Sequence, residues 1–468
     1  MVTVPAVVLA APSSGSGKTT LATGIMAALR ASGLRVAPFK VGPDYIDPGY
    51  HSLATGRPGR NLDPVLTSPE LVGPLFQHGS AGCDIAIVEG VMGLFDGRIG
   101  SAELAEGSTA QVAALLGAPV VLVVDVRGHS QSLAALLHGF ATFDPRVRIA
   151  GVILNQVGSD RHEHVLREAC DRAGMPVLGV VPRDGNVSLP SRHLGLVTAA
   201  EHGGAADAAI RAMGELARSC IDLPGLRQIA RSAVLAEAWS PGGALGESSG
   251  AGYQRRPVIA VASGPAFTFR YAEHDELLRA AGADIAVFDP LSDGLPEGTT
   301  GIVLPGGFPE LYAAALAENV ALLSQVRDAA AAEVPIVAEC AGLLYLSRKV
   351  DLYPMAGVIA ADAVFGKRLV LGYRDAAALS DSVAFRAGER VTGHEFHRTH
   401  LLENERTDAA WGWRDHAGAL VREGFVGNSV HASYLHTHPA GHPSSVARFV
   451  AAARAKQPVV ESRPAIAP

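Results

Sequence analysis

Two short stretches of this chain gather residue types that carry out chemistry. In AAPSSGSGKTT (10–20), Gly15 and Gly17 let the backbone curl so that its N–H groups face phosphate oxygens. Lys18 adds a positive charge, Thr19 offers a hydroxyl to Mg²⁺, and Ser16 and Thr20 complete a nucleotide-binding loop. Pro12 stands where the full P-loop pattern has glycine, so the loop is a variant. A plain Gly/Ser turn would look similar, but GKTT between a predicted strand and a predicted helix favours nucleotide binding. In VPIVAECAGLLYLS (334–347) an apolar strand runs into Cys340, then Ala341 and Gly342, then a helical pattern. A cysteine at such a turn gains a lowered pKa from the following helix, and the Ala341 N–H can face an oxyanion. Cys83, Cys170 and Cys220 lack this context and read as buried structural thiols.

Each stretch needs partners. Mg²⁺ takes oxygen ligands, usually one or two carboxylates besides phosphate. KVGPDYIDPGY (40–50) supplies Asp44, Tyr45 and Asp47 after a strand, and VEGVMGLFDG (88–97) supplies Glu89 and Asp96. Glu89 ends an apolar strand, where an unpaired charge is costly, so a functional role outweighs a solvated loop carboxylate. Asn155, ending IAGVILN (149–155), can meet an adenine edge or merely shape a turn. Arg192 and His193 in LPSRHLGL can pair with substrate anions or with a local acid. For Cys340, candidate bases lie in SVHASYLHTHPAGH (429–442): His431, His436, His438 and His442, with spacing alone choosing none. Gly306 and Gly307 in LPGGFPE can complete an oxyanion hole. His394 and His397 stand three apart without a cysteine pair, which disfavours a transition-metal site.

The elements that must hold these residues are legible as apolar runs. AVVLAA (6–11), VAPFKV (36–41), DIAIVEG (84–90), PVVLVVDV (119–126), IAGVILN and PVLGVVP (176–182) alternate with helical patterns, which predicts a parallel sheet covered on both faces. TTLATGIMAALRASG (19–33) is an amphipathic helix closed by Gly33. The alternation restarts with VIAVASG (258–264), ADIAVFDP (283–290), GIVLPGG (301–307) and VPIVAEC (334–340). The expected fold is α/β with two doubly wound, mostly parallel domains at 1–232 and 257–454. A Gly/Ser/Pro-rich linker at 233–256 joins them and a loose tail follows at 455–468. The helical stretch 203–232 is expected to pack between the domains.

Composition narrows the class. The 468 residues carry a formal net charge of −7, which argues against a general nucleic-acid binder. No apolar run approaches the ~20 residues that span a bilayer, so no membrane partner is expected. Four cysteines at unrelated spacings fit a reducing cytoplasm.

In order along the chain, APSSGSGKTT, FKVGPDYIDPGYH, NLDP (61–64), VEGVMGLFDG, LPSRHLGL, LPGGFPELY, AECAGLLYL, GHEFHR and SYLHTH resemble the corrin a,c-diamide synthases of the cobalamin pathway. The N-terminal half is also similar to dethiobiotin synthetase. The resemblance implies a P-loop domain followed by a flavodoxin-like class I glutamine amidotransferase domain. It implies ATP as co-substrate at Gly15, Ser16, Gly17, Lys18, Thr19, Thr20 and Asn155. Mg²⁺ would sit at Thr19, Asp44 and Glu89, with Tyr45, Asp47, Asp96, Arg192 and His193 near metal or substrate. A corrin poly-acid receives phosphate on an acetate side chain. Cys340 and His436 free ammonia from L-glutamine, with Gly307 and Ala341 around the oxyanion, and ammonia displaces the phosphate. His436 is taken as the base because the family motif places it in Tyr-Leu-His. Many glutaminases carry His-x-Glu, but His438 fills that place here, so the orientation of His436 must come from elsewhere. The wording leans towards cobalt-free hydrogenobyrinic acid over cobyrinic acid. A homodimer is carried as an expectation for the assembly. The alternatives are another corrin amidase of the cobyric acid synthase type and a P-loop ATPase switch, the latter leaving the second domain unexplained.

Overall fold

The protein is described by a computed structural model covering residues 3–101, 105–183, 191–192, 195–196, 204–246, 256–402 and 409–456. His193 and most of the LPSRHLGL motif lie outside the described residues. Two compact units divide the chain between Ser240 and Pro241.

The first unit is built on seven strands: β1 (Ala6–Ala10), β2 (Val36–Val41), β3 (Arg60–Leu62), β4 (Ile85–Glu89), β5 (Val120–Asp125), β6 (Ile149–Val157) and β7 (Val177–Pro182). They form one sheet in the order β3-β2-β4-β1-β5-β6-β7, and every described pairing is parallel. β1, β2 and β4 are buried at every position, so their continuous Val, Ile, Ala and Leu runs need no polar face. The order reverses at β1, with β2, β3 and β4 to one side and β5, β6 and β7 to the other. Ligands bind at such a switch point, beyond the carboxyl ends of the strands. Helices α1 (Lys18–Ala31), α2 (Asp47–Thr55), α3 (Pro69–Ser80), α4 (Thr109–Leu116), α5 (Leu133–Phe143) and α6 (Asp160–Arg172) connect the strands. The two-residue strands β8 (Ser191–Arg192) and β9 (Gly195–Leu196) pair with each other.

Two expectations change here. The helix Gly204–Cys220 packs on α1 inside the first unit; a Cβ on Gly24 would meet Met213 O at 2.4 Å. The start of the expected linker is also structured. Ala233 donates its N–H to Leu116 O (2.8 Å), Trp239 donates to Pro74 O (2.9 Å), and Val234 and Trp239 are buried. These apolar side chains hold residues 233–239 to the first unit, and Pro241–Leu245 is a helical turn of the second. Residues 247–255 and 457–468 fall outside the described set.

The second unit starts with β10 (Val258–Ala262), β11 (Asp284–Phe288), β12 (Thr299–Leu304) and β13 (Ile336–Glu339). Then come β14 (Lys349–Val350), β15 (Tyr353–Pro354), β16 (Asp362–Ala378), β17 (Arg390–Leu402), β18 (Trp411–Arg414), β19 (Leu420–Glu423), β20 (Phe425–Gly427) and β21 (Val430–Ser433). One sheet has the order β11-β10-β12-β13-β21-β20 and is parallel except at β20. A further sheet, unread in the sequence, joins β14 to β19, with the long antiparallel β16–β17 hairpin at its heart. It packs its own core of Phe385, Trp411, Trp413 and Leu435. The chain leaves the parallel sheet after β13, builds the hairpin, and returns as β21 beside β13.

Candidate active sites

In the first unit, β1 turns into α1 over residues 11–17. Gly17 has φ 88° and no side chain caps α1, so the first N–H groups of the helix are open to an anion. Glycine is needed there twice over: the backbone is left-handed, and a Cβ would lie 2.5 Å from Asn155 Nδ2. That amide donates to Ser16 O at 2.9 Å. One Asn155 N–H thus braces the loop from β6. Ser16 donates to Ser13 O at 2.9 Å, and Thr20 is half-buried on α1. Lys18 Nζ donates to Met92 O at 2.6 Å and Ser13 O at 3.4 Å. Burial, and then the neighbouring Lys40, draw the Lys18 pKa down to about 8.

Behind Lys18 lies a buried cluster of charges. Lys40, on β2 and 3% exposed, donates to Asp47 Oδ2 at 2.5 Å, Glu89 Oε1 at 2.8 Å and Gly90 O at 3.3 Å. Thr19 Oγ1 lies within donating distance of Glu89 Oε1 (2.7 Å) and Asp47 Oδ2 (3.1 Å). His51 Nε2, on α2, is 2.7 Å from Glu89 Oε2. Burial raises the pKa of Glu89, but Lys40 and His51 outweigh it and hold the carboxyl below its usual range. Asp47 is pushed up by burial and by Asp44. Lys40 pays for burial through Asp47, Glu89 and Asp44, which together keep it charged.

Of the acids expected around Thr19, Asp44 and Asp47 are held differently. Asp44 Oδ1 accepts the N–H groups of Ile46 and Asp47, both at 2.9 Å, and so caps α2; its other oxygen is 3.8 Å from Lys40 Nζ. Asp47, the first residue of α2, is the carboxylate that reaches Thr19. Asn61 of the NLDP motif donates to Gly42 O (2.7 Å) and Asp44 O (2.8 Å), fixing this loop, on which Tyr45 is half-buried. Asp96 accepts the Gly93 N–H at 2.9 Å in its own turn and lies within the field of Lys18. Arg192 is on β8.

In the second unit, Cys340 follows β13 at φ 48° and ψ −95°, a strained conformation for a side chain of this kind. Its N–H donates to Ser433 O at 2.7 Å, tying the turn to β21, and its Sγ lies 3.9 Å from Phe396 O on β17. The expected lowering of its pKa is reversed. Burial, and then the carboxylates of Glu310, Glu339 and Glu395, push the thiol well up, while the Ala341 N–H opposes them in part. His436 is clamped by two backbone bonds with His394, each 2.9 Å. A Cβ on Gly306 would strike His436 Cε1 at 2.4 Å, whereas one on Gly307 would strike Ala266 O at 2.1 Å. Gly306 is thus the glycine against the imidazole. The other histidines are buried with separate roles. His438 Nδ1 accepts the Ala440 N–H (3.2 Å), His397 stacks on Tyr434 at 3.8 Å, and burial pulls His394 down to about 3 and His431 to about 4. Glu395, in the same GHEFHR motif, accepts from Arg374 Nε at 2.7 Å.

Three residues escaped the sequence reading. Lys40 and His51 lie in FKVGPDYIDPGYH, where the search was for acids; a lysine inside an apolar strand was the available signal. Glu339 ends an apolar strand as Glu89 does, and its Oε2 is 3.4 Å from His436 Nδ1.

Residues 7–197 match the family of the CobQ/CobB/MinD/ParA nucleotide binding domain, and residues 258–443 that of the CobB/CobQ-like glutamine amidotransferase domain. The hydrogenobyrinate a,c-diamide synthase of Mycobacterium tuberculosis is 57% identical, over 97% of this chain and 99% of that protein. The protein of the same name from Streptomyces coelicolor is 57% identical over 96% and 97%. The cobyrinate a,c-diamide synthase of Synechococcus is 40% identical over 96% and 98%. Identity of this extent across both units shows that the chain belongs to the family of hydrogenobyrinate and cobyrinate a,c-diamide synthases.

Proposed function

We propose that this chain is a ligase that amidates the a and c acetate carboxylates of hydrogenobyrinic acid, driven by ATP and with glutamine as nitrogen donor. The observation that carries this reading is the presence, in one chain, of a braced phosphate loop beside a buried lysine–carboxylate cluster and of a strained cysteine after one strand with a clamped histidine after the strand paired to it. The higher identity to the hydrogenobyrinate enzymes, 52–57% against 40–43%, supports the cobalt-free substrate.

In the first unit the open N–H groups of α1 and Lys18 receive the triphosphate. A substrate carboxylate oxygen attacks the γ-phosphorus, ADP leaves, and an acyl phosphate forms. Thr19, Asp47 and Glu89 make a hard-oxygen donor set that suits Mg²⁺ and leaves the rest of its shell to phosphate and water; the ion would neutralise phosphate charge. Lys40 balances the two carboxylates meanwhile. In the second unit Cys340 adds to the glutamine amide carbon, the C–N bond breaks, and ammonia leaves. Water then releases glutamate from the thioester. Ammonia attacks the acyl phosphate carbon and expels phosphate, a step a bare carboxylate refuses because its oxygen is a poor leaving group. Gly307 and Ala341 N–H groups are assigned to the oxyanion.

The test is a comparison of nitrogen sources. Cys340→Ser, given ATP, magnesium and hydrogenobyrinic acid, is expected to lose glutamine-dependent diamide formation and to keep formation from ammonium salts. Mass spectrometry of the corrin reads both. A folded variant that loses both activities, or a wild type that never adds nitrogen to the corrin, would overturn the reading.

A further inference from the structure

We propose that Glu339, the residue immediately before the nucleophile, is the positioning carboxylate for His436, replacing the acid that glutaminases of the His-x-Glu kind carry two residues after the histidine. The proposal rests on the reading of Cys340 and His436 given above and adds a third member to that pair.

Geometry carries it. Glu339 is the last residue of β13 and pairs with Ser433 of β21, so the strand that delivers the nucleophile lies beside the strand that delivers the base. Glu339 Oε2 stands 3.4 Å from His436 Nδ1. Its other oxygen, Oε1, accepts from the Thr437 N–H (3.3 Å) and the Thr437 hydroxyl (3.2 Å). The residue following the histidine thus holds the carboxylate that faces the histidine. The distance to Nδ1 is longer than a closed hydrogen bond, as is common for catalytic contacts before substrate arrives. His438, which occupies the usual place of the acid, is 0% exposed and caps its own turn through Nδ1, with its ring 4.3 Å from Tyr271.

The surroundings single out His436 as the imidazole that Glu339 serves. The titratable groups facing Glu339 are Cys340 beside it, His436 after β21, His431 on β21, and His274 on the helix Ala272–Ala280, where Arg270 pairs with Asp275. Burial holds His274 and His431 in their neutral forms. With Nδ1–H directed at Glu339, the tautomer leaves Nε2 to take the thiol proton. That transfer makes a thiolate and an imidazolium whose charge the carboxylate offsets. The proton then passes from Nε2 to the departing nitrogen, and ammonia leaves with the tautomer restored. An acid that holds the tautomer in this way acts without becoming protonated.

The test uses the full chain with Glu339→Gln, Glu339→Asp and Cys340→Ser side by side. Glu339→Gln is expected to lower the glutaminase kcat about a hundredfold or more with KM for glutamine changed little. Ammonium-dependent amidation is expected to be unchanged, and Glu339→Asp to recover part of the rate. A Glu339→Gln enzyme within threefold of wild type overturns the proposal. So does a rate loss that appears in KM alone. If Glu339→Gln does not fold, Glu339→Asp decides: reduced glutaminase with intact ammonium-dependent activity supports the proposal, and full glutaminase overturns it. Retention of glutaminase by Cys340→Ser would instead sink the underlying assignment of the nucleophile.

Discussion

Around Thr19 the charges stand ready before any substrate arrives, whereas around Cys340 they must be created during the reaction. Lys40, Glu89 and Asp47 are all nearly or fully buried, and each is paired within 2.8 Å. Cys340 is as buried as they are, but it is a thiol whose pKa burial and three carboxylates push up, and His436 is held by backbone bonds to His394. A triphosphate arrives with several negative charges, and a preset array of charged side chains suits it. Glutamine arrives with an uncharged amide, and the site needs charge only when the thiol yields its proton. The lesson is that removing a charged residue from the first site should damage both chemistry and folding. Removing the nucleophile from the second should damage chemistry alone.

The largest effect expected from this contrast is on activity. Lys18→Ala should reduce amidation by a thousandfold or more with glutamine and with ammonium alike, since both nitrogen sources need the same activated carboxylate. A variant that still forms diamide from ammonium would break the link between the phosphate loop and the chemistry. Next comes stability. Lys40→Met leaves Glu89 and Asp47 buried without their shared cation, which is expected to cost about 3–5 kcal/mol. Cys340→Ser removes no buried charge and should cost less than about 1 kcal/mol. Thermal melts of the two variants read the difference, and equal melting points would mean that the carboxylates find another partner. The smallest effect is a proton count. With a pKa near 8, Lys18 is mostly neutral at pH 9 in the free protein. Phosphate favours its charged form, so ATP binding should take up most of a proton at pH 9 and almost none near pH 6.5. Calorimetry in buffers of different ionisation enthalpy measures this, and equal uptake at both values would contradict the assigned environment of Lys18.

The sequence was most readable where strands are buried on both faces. The apolar runs of β1, β2, β4, β5 and β6 marked the first sheet, and the β10, β12 and β13 runs marked the parallel part of the second. β16 was unreadable in the same way because its residues alternate between half-buried and exposed without a clean period. Its partner β17 was noticed only as the motif GHEFHR. At the sites, spacing located Asp44 and Asp47 together, but which of them meets Thr19 depends on where α2 begins. The acid facing His436 was hidden for another reason. Glu339 and His436 are far apart in sequence and become neighbours only because β13 and β21 pair, a fact no local pattern contains. The helix after Cys340 suggested a lowered pKa, but burial of the thiol, and then Glu310, Glu339 and Glu395 around it, push it the other way.

The route of the chain between β13 and β21 bears on how the protein is made. A ribosome delivers Cys340 first, then the whole β16–β17 hairpin with Phe396, and only afterwards His436. Until β21 emerges, β13 is an open edge, and the thiol beside it lacks Ser433 to tie down its turn. A nascent chain that stops in the hairpin therefore carries the thiol without the strand that ties down its turn.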